Sequence, residues 1–168
     1  MPALLARADA ATLWTDTVAI RAYHPYRIGR TDLNPAFRRP EDGLLLDLKD
    51  NVDRGVLAAV KDFHSALRRL GVQGRVRLAA VPGHEARPTN RGRALSRVIS
   101  GLVQIPGSRF VDGSDVLLRH ATIDKLATGG ERDVTIHLGS IRVERKVAGE
   151  TVVVLDDVTT SGGSLAAC

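Results

Sequence analysis

Two rhythms of hydrophobic positions run along this chain. The first recurs every three or four residues at Val56, Val60, Phe63, Leu67 and Leu70, with Gly71 following, and predicts an amphipathic helix ended by glycine. The same spacing returns over Asn90 to Val103, where Leu95, Val98, Ile99 and Leu102 share one face. The second rhythm belongs to strands. Arg75 to Val81 is an apolar stretch closed by Pro82-Gly83, and Val134 to Val143 alternates Val134, Ile136 and Leu138 before shifting to Ile141 and Val143, which predicts a long strand. Thr151 to Leu155 is a continuous, mostly β-branched run, the pattern of a strand covered on both faces in a parallel sheet. Strand, polar loop and helix between Arg75 and Val103 open a crossover unit, and the elements together predict an α/β sheet flanked by helices.

The first stretch is less regular. Pro25, Pro35 and Pro40 punctuate it and predict loop with short strands, for which Thr17 to Tyr23 and Leu44 to Leu48 are the candidates. Gly107 to Gly130 reads as mostly polar. There is no internal repeat or low-complexity tract, and 168 residues fit one domain: an irregular N-terminal segment over 1–54 and an α/β core over 55–168.

Composition narrows the classes. The single Cys168 excludes a disulfide framework and a cysteine zinc cluster, and fits a reducing cytoplasm. No apolar run approaches the length of a membrane span, and the charged start does not form a signal-peptide core, so a cytoplasmic protein without membrane contact is expected. A net charge of +5 implies a field that attracts polyanions, whether nucleic acid, a phosphorylated small molecule or an acidic partner.

The chemistry concentrates between Val152 and Ser164. Asp156 and Asp157 follow the buried strand at its carboxyl end, the edge where open α/β sheets bind ligands, and Thr159 to Ser164 form a hydroxyl- and glycine-rich turn. Small residues admit close backbone approach to a phosphate, hydroxyls donate to it, and the start of a following helix adds oriented amides. The two carboxylates suit a vicinal diol and a magnesium ion instead. Diol and phosphate together indicate a ribose 5-phosphate. The same residues would also serve as strand and helix caps with turn glycines between them.

This run of four apolar residues, two acids, an apolar residue and a Thr-Thr-Ser-Gly-Gly-Ser turn resembles the phosphoribosyl-pyrophosphate-binding motif of type I phosphoribosyltransferases. The resemblance implies that Asp156 and Asp157 bind the ribose hydroxyls and magnesium, and that Thr160, Ser161, Gly162, Gly163 and Ser164 wrap the 5-phosphate. Weaker similarity begins at Val81 and leans toward the competence-associated, amidophosphoribosyltransferase-like branch, on the landmarks Val81-Pro82, Arg91-Gly92, Thr122, Lys125 and Arg132. It implies a pyrophosphate loop over Pro82 to Thr89, with Gly83 and Arg87 as its contacts and His84 a loop residue. It also implies a hood loop over Arg119 to Arg132, where Lys125 and Arg132 meet the leaving group and Gly129-Gly130 allow motion. Dimers are usual in the family, so a homodimer whose neighbouring basic loop reaches the site is a further expectation.

Two departures qualify the resemblance. Purine-salvage members carry an acid/base Asp where this chain has Thr160, which disfavours a hypoxanthine-type mechanism. Family members also continue through a full helix and further strands, whereas here four residues follow Ser164, so the resemblance implies a core shortened at its C-terminus. No acceptor-base motif is legible; Trp14, Tyr23, Tyr26 and Phe37 are the aromatic candidates for stacking. Three functional readings follow. The leading one is a magnesium-dependent phosphoribosyltransferase acting on a nitrogen acceptor. The second is a non-catalytic sensor of phosphoribosyl pyrophosphate or a nucleoside monophosphate. The third is a nucleic-acid-associated protein that uses its basic surface.

Overall fold

The computed structural model describes residues 18–20, 22–28, 31–124, 134–147, 149–158 and 163–168. The chain divides into two compact units, Met1–Leu70 and Gly71–Cys168.

The first unit is built on a helix pair. A two-residue hairpin, β1 (Arg27–Ile28) with β2 (Asp32–Leu33), precedes α1 (Arg39–Lys49) and α2 (Asp53–Arg69). Leu44 to Leu48, read above as a strand, lies inside α1, and Val18 to Ile20 with Ala22 and Tyr23 form no strand. The reason lies at the helix start. Pro40 sits in the first turn, where its missing N–H costs nothing, so it opens the helix instead of breaking the chain. Asp42 reaches back to accept the Arg38 amide at 2.6 Å and the His24 amide at 3.3 Å. Burial raises the pKa of Asp42, but those two bonds and the His24 ring 3.5 Å away outweigh it and hold the carboxyl below its ordinary range.

Asn51 closes α1 in the left-handed region at φ 60°, which asparagine tolerates better than most residues. The chain then turns directly into α2, where Arg54 Nε donates to Asp47 Oδ2 at 2.6 Å. The helix read from sequence forms here: of its periodic positions Val56 and Leu67 are buried, Val60 and Phe63 half-buried and Leu70 exposed, while Ala59 and Ala66 complete the buried face, and Gly71 follows at φ 62°. Tyr26 and Phe37 meet edge to face with centroids 5.2 Å apart, and Lys49 lies over the Tyr23 ring, so three of the four aromatic candidates for stacking already have partners. Trp14 lies outside the described residues.

The second unit is mixed α/β. Its strands are β3 (Val76–Ala80), β4 (Phe110–Asp112), β5 (Leu117–Arg119), β6 (Ile141–Val143) and β7 (Thr151–Leu155); its helices are α3 (Ala94–Val103), α4 (Val134–Leu138) and α5 (Gly163–Ala166). A three-stranded parallel sheet runs β4-β3-β7, with Val76 opposite Phe110 on one side and Thr151 on the other. Central β3 is buried except at Arg77. Val76 and Leu78 are buried on one face, Ala79 on the other, and α3 packs on β3 and β4 with Val98, Ile99 and Leu102 fully buried. Ala79 joins Val116 and Leu117 in a core that Ile141, Val147, Val152, Val154 and Cys168 border. Arg77 staples the sheet: Nε and Nη2 donate to Glu150 at 2.5 and 3.0 Å, and Nη1 donates to the Asp112 carbonyl at 3.0 Å.

Three sequence expectations need correction in this unit. β7 is covered less than its composition implied, since Thr151 is exposed and Val152 to Val154 are half-buried. Gly107 to Gly130 contains β4 and β5, whose three-residue lengths leave too little pattern to read. Val134 to Val143 is not one strand. Only Ile141 to Val143 has a partner, antiparallel β5, and Val134 to Leu138, with no strand to pair with, closes its hydrogen bonds locally as a helix. Among the described residues no helix is long and apolar enough to cross a membrane.

The α1–α2 corner gives a direct test of the first unit. A Cβ on Gly55 would lie 2.2 Å from the Leu48 backbone nitrogen and 2.5 Å from the Asp47 carbonyl carbon, neither of which can rotate away. Gly55→Ala is therefore expected to destabilise the helix pair by at least about 2 kcal/mol in denaturant unfolding, whereas alanine in an open helix interior stabilises.

Candidate functional site

The parallel register decides which loops meet. Ala80 stands opposite Leu155, and the Val81 amide donates to the Leu155 carbonyl at 2.9 Å, so β3 and β7 end together. Pro82 to Arg87 and Asp156 to Val158 thus leave adjacent strands at the carboxyl edge of one sheet. The strand pattern put the candidate carboxylates at that edge, and the resemblance built on them put the candidate anion loop beside them.

Arg119, the last residue of β5, organises the β3 loop. It is 2% exposed. Its Nε donates to the Gly83 carbonyl at 2.5 Å, Nη2 lies 3.5 Å from the Pro82 carbonyl and 3.3 Å from His137 Nδ1, and Nη1 donates to Ser140 Oγ. Among the described residues no carboxylate lies within ion-pair distance of this guanidinium. Burial lowers its pKa, and Arg93 lowers it further, against the pull of Cys168. Arginine stays protonated nonetheless, and among the described residues its hydrogen-bond partners are carbonyls, a hydroxyl and an imidazole.

The rest of the loop is zipped to the segment after β5. The Ala86 amide donates to Thr122 Oγ1 at 3.0 Å, the Arg87 amide to the Arg119 carbonyl at 3.1 Å and the Ile123 amide to the His84 carbonyl at 3.0 Å. Beyond it, Asp115 accepts from Thr89 Oγ1 and the Asn90 amide, and buried Asn90 donates to the Ser114 and Leu117 carbonyls at 2.7 and 2.8 Å. The loop from β3 to α3 is therefore held at both ends.

A side chain lies against Gly83. A Cβ there would stand 1.8 Å from Arg93 Nη1, so the Arg93 guanidinium lies directly on the glycine backbone. Arg93 Nε is buried and donates to nothing among the described residues. Arg87, expected to contact phosphate, donates from Nε and Nη2 to Glu85 Oε2 at 3.0 and 2.5 Å and is half exposed. Arg93 Nη2 is 3.7 Å and His84 Nε2 3.8 Å from the same carboxylate. Hydrogen bonding from Arg87 is the main reason the Glu85 carboxyl is held below its ordinary range.

On the β7 side, Asp156 Oδ1 accepts the Asp157 amide at 2.9 Å and Asp157 Oδ1 accepts the Val158 amide at 2.8 Å, which fixes both half-buried side chains at the strand end. Among the described residues no three His, Cys, Asp or Glu side chains gather as a metal cage. Two carboxylates are nonetheless what a magnesium ion takes from a protein when phosphates and waters complete its octahedron. Ser164 in α5 places Oγ 3.4 Å from His137 Nδ1 and 3.5 Å from Nε2, which brings the last residue of the expected cradle onto the ring that faces Arg119. Gly163 opens the same four-residue helix. Thr160, Ser161 and Gly162, with Lys125 and Arg132, lie outside the described residues.

The residues that sequence reading missed are Glu85, Arg93, Arg119 and His137. Arg119 entered only as the boundary of a polar stretch, although an arginine ending the apolar run Val116 to Leu118 was the available signal. Burial first, then the Asp156 charge, push the Cys168 thiol up to about 12, which disfavours its thiolate. On α2, His64, Ser65, Arg68 and Arg69 line a shallow cleft of about 430 Å³, but cations in the last turn of a helix are accounted for by its dipole. No protein-family model, curated protein or solved structure matches the chain.

His137 supplies a pH test. The ring is buried, and burial followed by the Arg119 charge lowers its pKa below the ordinary value of about 6.5. With the folded value depressed, the unfolded chain binds the proton more readily. The stability contributed is full above the unfolded pKa and is lost as pH falls through the folded one. The Tm is expected to drop between about pH 7 and 5, and His137→Gln, which keeps an acceptor for Arg119 without titrating, is expected to flatten that drop. An unchanged slope in the variant would contradict the assignment.

Proposed function

We propose that the carboxyl edge of β3 and β7 binds phosphoribosyl pyrophosphate with magnesium, and that the protein is a phosphoribosyltransferase-type enzyme of the type I fold that delivers the phosphoribosyl group to a nitrogen acceptor. The observation that carries this reading is the juxtaposition fixed by the register. Two adjacent carboxylates leave one strand, and a loop backed by a buried arginine that has no carboxylate partner among the described residues leaves its parallel neighbour. A diol and a metal suit the first loop; a pyrophosphate suits the second.

In the reaction, a nitrogen nucleophile forms a bond to the anomeric carbon while the bond to the pyrophosphate oxygen breaks, and the pyrophosphate leaves with that electron pair. Positive charge builds on the ribose and negative charge on the leaving group. Asp156 and Asp157 accept hydrogen bonds from the ribose hydroxyls and lie on the side where cationic character develops. Arg87 and Arg93 meet the leaving group, and Arg119 holds the Pro82–Gly83 carbonyls in place without touching substrate. Magnesium, when bound to Asp156 and Asp157, supplies charge neutralisation on the pyrophosphate. Catalysis in this scheme is positioning and electrostatics, with no covalent intermediate on the protein.

Titration calorimetry checks the reading. Micromolar, magnesium-dependent binding of phosphoribosyl pyrophosphate is expected for the wild-type chain. It is expected to be lost in Asp156→Asn/Asp157→Asn while the far-UV spectrum and Tm stay close to wild type. Undiminished affinity in the folded double variant would refute the assignment.

A further inference from the structure

Three guanidiniums and one imidazole lie at the loop after β3, and the Glu85 carboxylate stands within ion-pair distance of three of these four groups. Among the described residues, Glu85 is the one carboxylate within ion-pair distance of Arg87, Arg93 or His84, while Arg119 has none. The Arg93 pKa reports the same balance: burial lowers it, Arg87 lowers it further, and Glu85 works against both. The carboxylate thus occupies the faces of Arg87 and Arg93 that an anion at Gly83 would need.

We propose that Glu85 is a resident counter-ion of this loop, which neutralises Arg87 and Arg93 in the empty site and is displaced by the incoming pyrophosphate group. The inference rests on reading the β3–β7 edge as a phosphoribosyl pyrophosphate site. The exchange is chemically reasonable on three counts. The Glu85 side chain is 45% exposed, so it can swing into water without a desolvation cost. Its contact with Arg87 spans two residues within one loop, and exposed pairs of this kind are weak. A magnesium pyrophosphate offers several charged acceptors to the donors of Arg87 and Arg93 that now face Glu85. Glu85 also gives the site a reason to discriminate: a ligand that lacks the pyrophosphate has nothing to exchange for it.

Calorimetry with three probes, magnesium pyrophosphate, ribose 5-phosphate and magnesium phosphoribosyl pyrophosphate, tests this on wild-type protein, Glu85→Gln and Glu85→Ala. Both substitutions remove the competing charge from a surface position and are expected to tighten the two pyrophosphate-bearing probes by about three- to tenfold, the size of one or two exposed ion pairs. Ribose 5-phosphate, which does not reach the loop, is expected to bind all three proteins equally. Unchanged or weaker pyrophosphate binding in both variants would overturn the counter-ion role, and it would leave the site reading standing if the wild-type protein still binds phosphoribosyl pyrophosphate. An equal gain for ribose 5-phosphate would also overturn it, because a general field effect would then explain the change. Failure of the wild-type protein to bind any probe would remove the site reading, and the counter-ion with it.

Discussion

A guanidinium can be buried only if its donors find acceptors, and the carboxyl edge of the sheet is arranged around how Arg119 meets that demand. It takes the Gly83 carbonyl from one loop and Ser140 and His137 from the turn and helix that precede β6. Those bonds satisfy its hydrogens without cancelling its charge. The β3 loop is thereby tied to the β5–β6 hairpin. Losing such a group would strand several buried acceptors at once, which makes Arg119 a residue the site and the core share.

The two loops at that edge carry opposite chemistry. Asp156 and Asp157 each accept the backbone amide of the residue that follows, are acidic, and are suited to hydroxyls and a hard cation. The Pro82–Arg87 loop carries Arg87, and Arg93 from the start of α3 lies against its Gly83. A ligand with a diol at one end and a pyrophosphate at the other fits that polarity, and a ligand of one charge type does not. Glu85 belongs to the same logic, since a cationic loop waiting for an anion is more stable with a replaceable carboxylate in place.

How much of this could be read from residues alone depended on whether the relevant signal was local. The helices around Val56–Leu67 and Val98–Leu102 were legible because each buries one stripe along its own length. β3 and β7 were legible because they are the longest strands of the sheet and Pro82-Gly83 marks the end of one of them. Leu44 to Leu48 misled because leucine serves helix and strand alike and Pro40 starts α1 instead of breaking the chain. Val134 to Leu138 misled because alternation states a preference, and pairing needs a neighbour that only Ile141 to Val143 has. In the site, Asp156 and Asp157 were visible as neighbours in sequence. The cluster of Gly83, Arg119, His137 and Ser164 is assembled from four separate segments, and no local pattern contains it.

The central claim is that one ligand spans the ends of β3 and β7. Amide hydrogen exchange on the wild-type chain, with and without magnesium phosphoribosyl pyrophosphate, tests it most directly. The account predicts slower exchange in peptides covering residues 82–87 and 156–164 together, with α1 and α2 unchanged. Protection confined to one of the two loops, or appearing on α2 instead, would contradict it.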